Sequence, residues 1–225
     1  MFAVIFEVNP KPEQWDTYLG YAKALRPELE RIHGFLDNER FSSMRRPGWL
    51  LSLSTWRDEK AVIRWRIFAR HHEIQERGRS EVFRDYHLRV GEIIADNRVP
   101  DGHSLREQRF DETEAAAKLV ALSEATLEGL PPAPDALTVA ARLGAPRQAT
   151  LPGLVDWDVF ESIHQPGKFI LLASWCNPAA AEAGAVPTRG TIRHRRIRVI
   201  RDYGMFDRAE APQYYPPVPQ EPRAL

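Results

Sequence analysis

Residues 34–56 read GFLDNERFSSMRRPGWLLSLSTW, and residues 153–175 read GLVDWDVFESIHQPGKFILLASW, at a constant offset of 119 and without a gap. Eight positions are identical: Gly34/Gly153, Asp37/Asp156, Phe41/Phe160, Ser43/Ser162, Pro47/Pro166, Gly48/Gly167, Leu53/Leu172 and Trp56/Trp175. Internal repetition constrains a fold more than any single motif. This period is too long for a solenoid unit, so the chain reads as two copies of one small domain.

Working outward from the first copy, Pro47-Gly48 between two extended runs is turn chemistry, which predicts a hairpin of strands at 35–44 and 49–56. Upstream, 2–8 is rich in branched and aromatic residues and predicts a buried strand. Trp15, Tyr18, Leu19, Ala22, Leu25, Leu29 and Ile32 recur at helical spacing, predicting a helix over 13–33 that Pro27 kinks and Gly34 ends. Downstream, Asp58 is a candidate N-cap for a helix running to Gly78, followed by a closing strand at 82–95. The order is β-α-β-β-α-β, the ferredoxin-like arrangement. The second half repeats it in reduced form: strands at 118–126, 155–163, 169–175 and 192–206, a short helix at 134–143 and a stub at 177–185.

The expected organisation is therefore a first domain at 1–98, a polar linker at 99–117, a degenerate second copy at 118–208 and a proline-rich tail at 209–225. Each four-stranded sheet would expose one bare face, and the other copy is the simplest cover for it. The fold class expected is α+β: two ferredoxin-like domains packed sheet to sheet within one chain, an intramolecular pseudo-dimer forming an α+β barrel.

Thirty-one basic residues balance 31 acidic ones, so no bulk field points to a nucleic-acid or membrane partner. The run RHRRIRVIR at 193–201 alternates as a strand does and reads as a solvated strand face. Cys176 is the single cysteine, which excludes an intramolecular disulfide and a multi-cysteine metal site; it reads as a passive thiol. Met1 leads directly into FAVIFEV, and no apolar run approaches the roughly 18 residues a span requires. A cytoplasmic protein without a signal peptide is expected.

Several stretches carry a resemblance to a known family. These are Gly34-Phe35, the strand ending Ser54-Thr55-Trp56, the helix opening Arg57-Asp58-Glu59-Lys60-Ala61, then Trp65 and the series His71, Gln75, Gly78-Arg79, Phe83 and Tyr86. With them the chain resembles the antibiotic biosynthesis monooxygenase superfamily of dimeric α+β barrel proteins. The resemblance implies either of two chemistries. One is cofactor-free oxidation of an electron-rich phenol or quinol, deprotonated so that its carbanion reacts with dioxygen. The other is haem binding and degradation, using a tryptophan, a histidine ligand and an asparagine. The nine-residue spacing of Trp56 and Trp65 resembles the haem-degrading branch, but Gln75 stands where that branch has its histidine and Ile5 falls near its asparagine. Ser52 stands where the cofactor-free oxygenases have an asparagine.

The candidate catalytic residues are His71, as base, and Trp65; candidate substrate-binding residues are Trp56, His72, Gln75, Arg79 and Tyr86. An imidazole near its natural pKa takes up a phenolic proton or ligates haem iron, with His71 or His72 as the ligand in the second case. On an unbroken helix Trp65 and His72 share a face, about 20° apart, and His71 lies with Ile63, Ile67 and Ile74. The choice of His71 follows the resemblance instead. Glu7, in an apolar strand, either faces a cavity or pairs with an arginine. At the repeat offset, Trp65 falls on Gly184 and the histidines on Gly190 and Thr191, so a single site would belong to the first half. The leading expectation is a small-molecule monooxygenase that uses dioxygen on an aromatic or quinol-like substrate without a bound cofactor or metal. A haem protein and a non-catalytic ligand-binding module are the alternatives, and a homo-oligomer is compatible with each.

Overall fold

A computed structural model describes residues 1–145, 151–184 and 191–220; position 185 of the expected stub and Gly190 lie outside the described residues. The strands are β1 (Phe2–Pro10), β2 (Phe35–Ser43), β3 (Leu50–Trp56), β4 (Phe83–Asp96), β5 (Leu119–Thr126), β6 (Leu154–Ser162), β7 (Lys168–Trp175) and β8 (Arg193–Gly204). The helices are α1 (Trp15–Arg31), α2 (Glu59–Arg66), α3 (Ala69–Arg77), α4 (Ala136–Arg142) and α5 (Pro178–Ala183). Asp58, Asp135 and Asn177 cap α2, α4 and α5, each accepting a hydrogen bond from the backbone N–H three residues on. Gly34 and Gly153 sit at φ +97° and +83° after corresponding turns, and a Cβ would lie 2.7 Å from that of Ala61 or 2.5 Å from that of Ala180. Only glycine fits both demands.

The eight strands form one closed barrel in the order β1-β3-β2-β6-β7-β5-β8-β4. Strands of the two halves of the chain pair at their edges: β2 with β6 through Phe41↔Ser162, and β4 with β8 from His87↔Gly204 onward. Closure leaves no unpaired edge among the described strands. The inward faces meet in a core that includes Ile5, Phe41, Leu53 and Ile93 with Leu122, Phe160, Leu172 and Ile197. The segment 99–117 carries no helix; Val99 and Leu105 pack on that core, and the Glu92 carboxylate accepts the N–H groups of Gln108 and Arg109.

Charged groups also point into the barrel, in two corresponding sets. Arg89 and Arg46 both pair with Glu7; Arg46 also reaches Asp158, Ser43 donates to Asp158, and Arg89 donates to Ser174. In the other set Arg195 and Lys168 pair with Glu124, Lys168 reaches Glu39, Ser162 donates to Glu39, and Arg195 donates to Thr55. The strand registers match as well. Phe2 faces Trp56 as Leu119 faces Trp175, and Arg89 faces Ile5 as Arg195 faces Leu122. Burial pushes the Glu7 and Glu124 carboxyls up, but Arg89 beside one and Arg195 beside the other, with their further cations, hold both below the usual range.

Two expectations need correction. The run at 193–201 is not simply a solvated face, because Arg195 is 2% exposed inside the barrel. Alternation turned it inward where Glu124 waits, while Arg196 and Arg198 on the other face pair with Glu182, Glu92 and Glu107. The helix expected from Asp58 to Gly78 is two helices, with Phe68 extended between them at φ −62°, ψ 122°. The Trp65 carbonyl, which a continuous helix would give to the Ala69 N–H, instead accepts from the Phe68 N–H and lies 2.9 Å from His71 Nδ1. A wider turn, Gly78–Val82, then leads into β4, with the Phe83 N–H reaching back to the Gly78 carbonyl.

Candidate active site

The outer face of the sheet and the helices covering it enclose a cavity of about 200 Å³. Val4, Phe6, Leu88 and Val90 form its floor; Tyr18, Leu25 and Leu29 of α1 and Val62, Ile63 and Trp65 of α2 form its roof. Both surfaces follow from pattern: alternate residues of β1 and β4 face outward, and the apolar stripes of the helices turn down onto them. His71, Gln75, Arg79 and Tyr86 line the same space, and Arg208, Gln213 and Tyr215 close one end of it.

Trp65 and His71 form the centre of the wall. Their rings stack with centroids 4.1 Å apart at 17°, and Phe68 stacks on the same indole at 5.9 Å. The break between α2 and α3 produces this. It swings His71, rather than His72, onto Trp65, reversing the order given by an unbroken helix. With Nδ1–H donated to the Trp65 carbonyl, Nε2 keeps its lone pair. Burial lowers the His71 pKa from 6.5 to about 4, so the ring is neutral at physiological pH.

His72 serves the rim. Its Nδ1 lies 3.0 Å from the Tyr215 hydroxyl and 3.3 Å from the Gln213 amide, and its ring stacks on Tyr215 at 5.4 Å. Tyr215 donates to Gln75 Oε1 at 3.0 Å. Arg79 donates to the Tyr86 hydroxyl at 2.7 Å and to the Met205 carbonyl at 3.0 Å, and Arg208 donates to the same hydroxyl at 2.6 Å. Trp56 is elsewhere: fully buried with Phe2, Ala61 and Val62, its indole N–H on Ser54 Oγ, it packs against Phe35 outside the cavity lining. Glu7 faces the barrel interior.

Several lining residues escaped the sequence reading. Asn38 donates to Ser52 Oγ at 3.0 Å, so a carboxamide from β2 stands beside the position expected to lack one. Tyr203, Arg208 and Tyr215 come from the second half and the tail. Of these, Tyr215 alone carried a sequence signal, as one of a pair of tyrosines within a proline-rich segment. Among the described residues no cluster of His, Cys, Asp and Glu is spaced for a metal ion, and no helix is long and apolar enough to cross a membrane. Haem is one of the groups the resemblance implies, and the Nδ1–carbonyl bond leaves His71 Nε2 as an iron would need it.

The low pKa of His71 has two measurable consequences. With His71 as the base, neutral down to about pH 4, the acid limb of kcat/KM is expected well below pH 6.5. The unfolded chain takes up this proton near pH 6.5 and the folded one resists until about pH 4, so stability is full above 6.5 and lost as pH falls between the two. His71→Gln removes that contribution, and urea unfolding from pH 7 to pH 4 should show a shallower acid-side loss for the variant.

A profile of the family described as "Antibiotic biosynthesis monooxygenase" matches residues 1–77. The chain is 45% identical over 225 residues to the "Jasmonate monooxygenase ABM" of Pyricularia oryzae, a match covering 96% of this chain and 99% of that protein. Among solved structures, an aldoxime dehydratase aligns with 88% of this chain and 80% of its own at a TM-score of 0.51 and 10% identity. A second, in complex with butyraldoxime, gives a TM-score of 0.51 at 8% identity over 88% and 79%. Those two likenesses concern the fold alone. Identity of 45% along nearly the whole of both chains shows that this protein belongs to the antibiotic biosynthesis monooxygenase family and is an enzyme that oxidises a small molecule with dioxygen.

Proposed function

We propose that this enzyme oxidises jasmonate, or a small, mostly apolar molecule of similar size, in the cavity beneath α1. The observation carrying this reading is the Trp65–His71 stack set into an apolar wall. A neutral imidazole with a free Nε2 supplies a base, the indole supplies a flat surface for a ring, and the surrounding aliphatic side chains exclude water. His71 and Trp65 are accordingly the catalytic pair, with Gln75, Arg79 and Tyr86 binding substrate and His72 holding the tail through Tyr215. An aromatic or quinol substrate is the second reading, favoured by the parallel stack of Phe68, Trp65 and His71, onto which a planar ring would extend. Haem would be held through His71 Nε2 and would supply oxygen activation; binding and orientation of substrate would still fall to the cavity residues.

The architecture behind this reading is a duplicated β-α-β-β-α-β unit acting as an intrachain pseudo-dimer. The matched registers and the two matched charge sets support it. In this view residues 1–98 carry the site, 118–208 close the barrel and 209–225 finish the cavity; residues 221–225 lie outside the described residues.

Oxygen-electrode assays with jasmonate and with a quinol panel, each run with and without added haem and with and without NADPH as electron donor, test the function. Uptake with jasmonate is expected. Uptake with quinols alone would select the second reading, and no uptake under any condition would contradict both.

A further inference from the structure

We propose that the tail-covered end of the cavity is a carboxylate-binding subsite anchored by Arg79, so that the enzyme selects the free acid of its substrate over esters and amides. The inference rests on the reading that the cavity takes the substrate, and it adds the chemical group recognised there.

Arg79 is 4% exposed. Its Nη1 is occupied by the Tyr86 hydroxyl and the Met205 carbonyl, but its Nε and Nη2 are buried with no hydrogen-bond partner. Those two nitrogens share one edge of the planar fork, the edge that receives both oxygens of a carboxylate. Other buried arginines leave only Nε without a partner; among the described residues Arg79 alone leaves a second nitrogen so.

Arg89 and Arg195, equally buried in the barrel, each meet a carboxylate, Glu7 and Glu124. A guanidinium taken out of water without an anion is costly, which is why buried arginines are nearly always paired. Among the described residues no carboxylate forms an ion pair with Arg79. A second cation makes the imbalance larger: Arg208 shares the Tyr86 hydroxyl with Arg79, and its other contacts among the described residues are the Gln213 carbonyl and aromatic rings. Both guanidinium groups lie over the Tyr215 ring, at 5.5 and 5.3 Å. Glu76 is close enough to Tyr215 to oppose its ionisation, yet is paired with neither arginine among the described residues. A bound carboxylate supplies the missing charge. Its apolar body then runs toward Trp65 and His71, which places the reacting part of the molecule away from the anchored end.

Intrinsic tryptophan fluorescence, titrated with jasmonate, methyl jasmonate, octanoate and octanamide, tests this without requiring turnover. Each acid is expected to bind about 10- to 150-fold more tightly than its neutral counterpart, the range for a hydrogen bond to a charged group. Arg79→Gln should erase the ratio, and Arg79→Lys should keep part of it, since a point charge lacks the fork. Equal binding of acid and neutral partner by the unaltered protein would overturn the proposal, as would a ratio that survives in a folded Arg79→Gln. If that variant does not fold, Arg79→Lys and the ratios of the unaltered protein decide; a ratio unmoved by a folded Arg79→Lys would count against the subsite. The two proposals fail separately. Octanoate preferred through Arg79 with no oxidation of jasmonate leaves the subsite and removes the substrate, whereas oxidation of jasmonate and its ester alike does the reverse.

Discussion

His71→Ala should lower turnover by about 10²- to 10⁴-fold, the usual loss when a positioned base is removed. The expectation stems from a lining imidazole with a fixed tautomer: Nδ1–H on the Trp65 carbonyl, one face on the indole, Nε2 free. His72→Ala should behave differently. It unlatches Tyr215 and Gln213, so KM should rise while kcat changes little. Trp65→Phe keeps an aromatic face and loses area, which again weighs on affinity. Steady-state kinetics of the three variants separate these outcomes. Equal losses for His71→Ala and His72→Ala would mean that the histidines act by holding the helix and tail rather than by chemistry.

A second large effect is expected in stability. Glu7→Leu strands Arg89 inside the barrel with Ser174 as its remaining hydrogen-bond partner, and breaking a buried pair in this way costs about 3–5 kcal/mol. Glu7→Leu/Arg89→Met removes both charges and should recover most of that loss, because an apolar replacement of both partners is close to neutral. Urea unfolding of the two singles and the double gives the coupling directly. A double variant no more stable than Glu7→Leu would show that the cluster acts through shape rather than charge.

Much of this fold was legible because the repeated stretches 34–56 and 153–175 carry the same local constraints twice. Gly34 and Gly153 each need a positive φ and a close methyl neighbour. Trp56 and Trp175 end β3 and β7, opposite Phe2 and Leu119. The turns, caps and strand alternation are local signals, and they carried the element order. Barrel closure was less legible, since the pairing of β2 with β6 joins Phe41 to Ser162, far apart in the chain, and leaves no local mark. The inward turn of Arg195 was hidden for a related reason: alternation says which residues share a face, and only the position of Glu124 says which face accepts a cation.

The site was legible in part. Trp65, His71, Gln75, Arg79 and Tyr86 all line one cavity, whereas Trp56 and His72 do not. Helical arithmetic failed at the histidines because it assumed an unbroken helix, whereas at Phe68 the chain is extended and the Trp65 carbonyl goes to the Phe68 N–H and His71 Nδ1. Composition read 209–225 as a proline-rich tail, and 209–220 contain no helix or strand; yet Tyr215 is 9% exposed and closes one end of the cavity. Lack of regular structure did not mean lack of packing.

If oxidation takes place in the cavity beneath α1, filling that cavity must stop it. Ala22 lines the space, so Ala22→Trp should fill it. The direct test is mass spectrometry of jasmonate incubated with isotope-labelled dioxygen and either the unaltered enzyme or Ala22→Trp, with thermal melting as a check that the variant folds. One labelled oxygen atom is expected in the product of the unaltered enzyme, and none with a folded Ala22→Trp. The other atom leaves as water, with two electrons from the substrate when a CH2 becomes a carbonyl, or from added NADPH when it becomes an alcohol. Labelled product at an undiminished rate from the filled variant would contradict a site in this cavity.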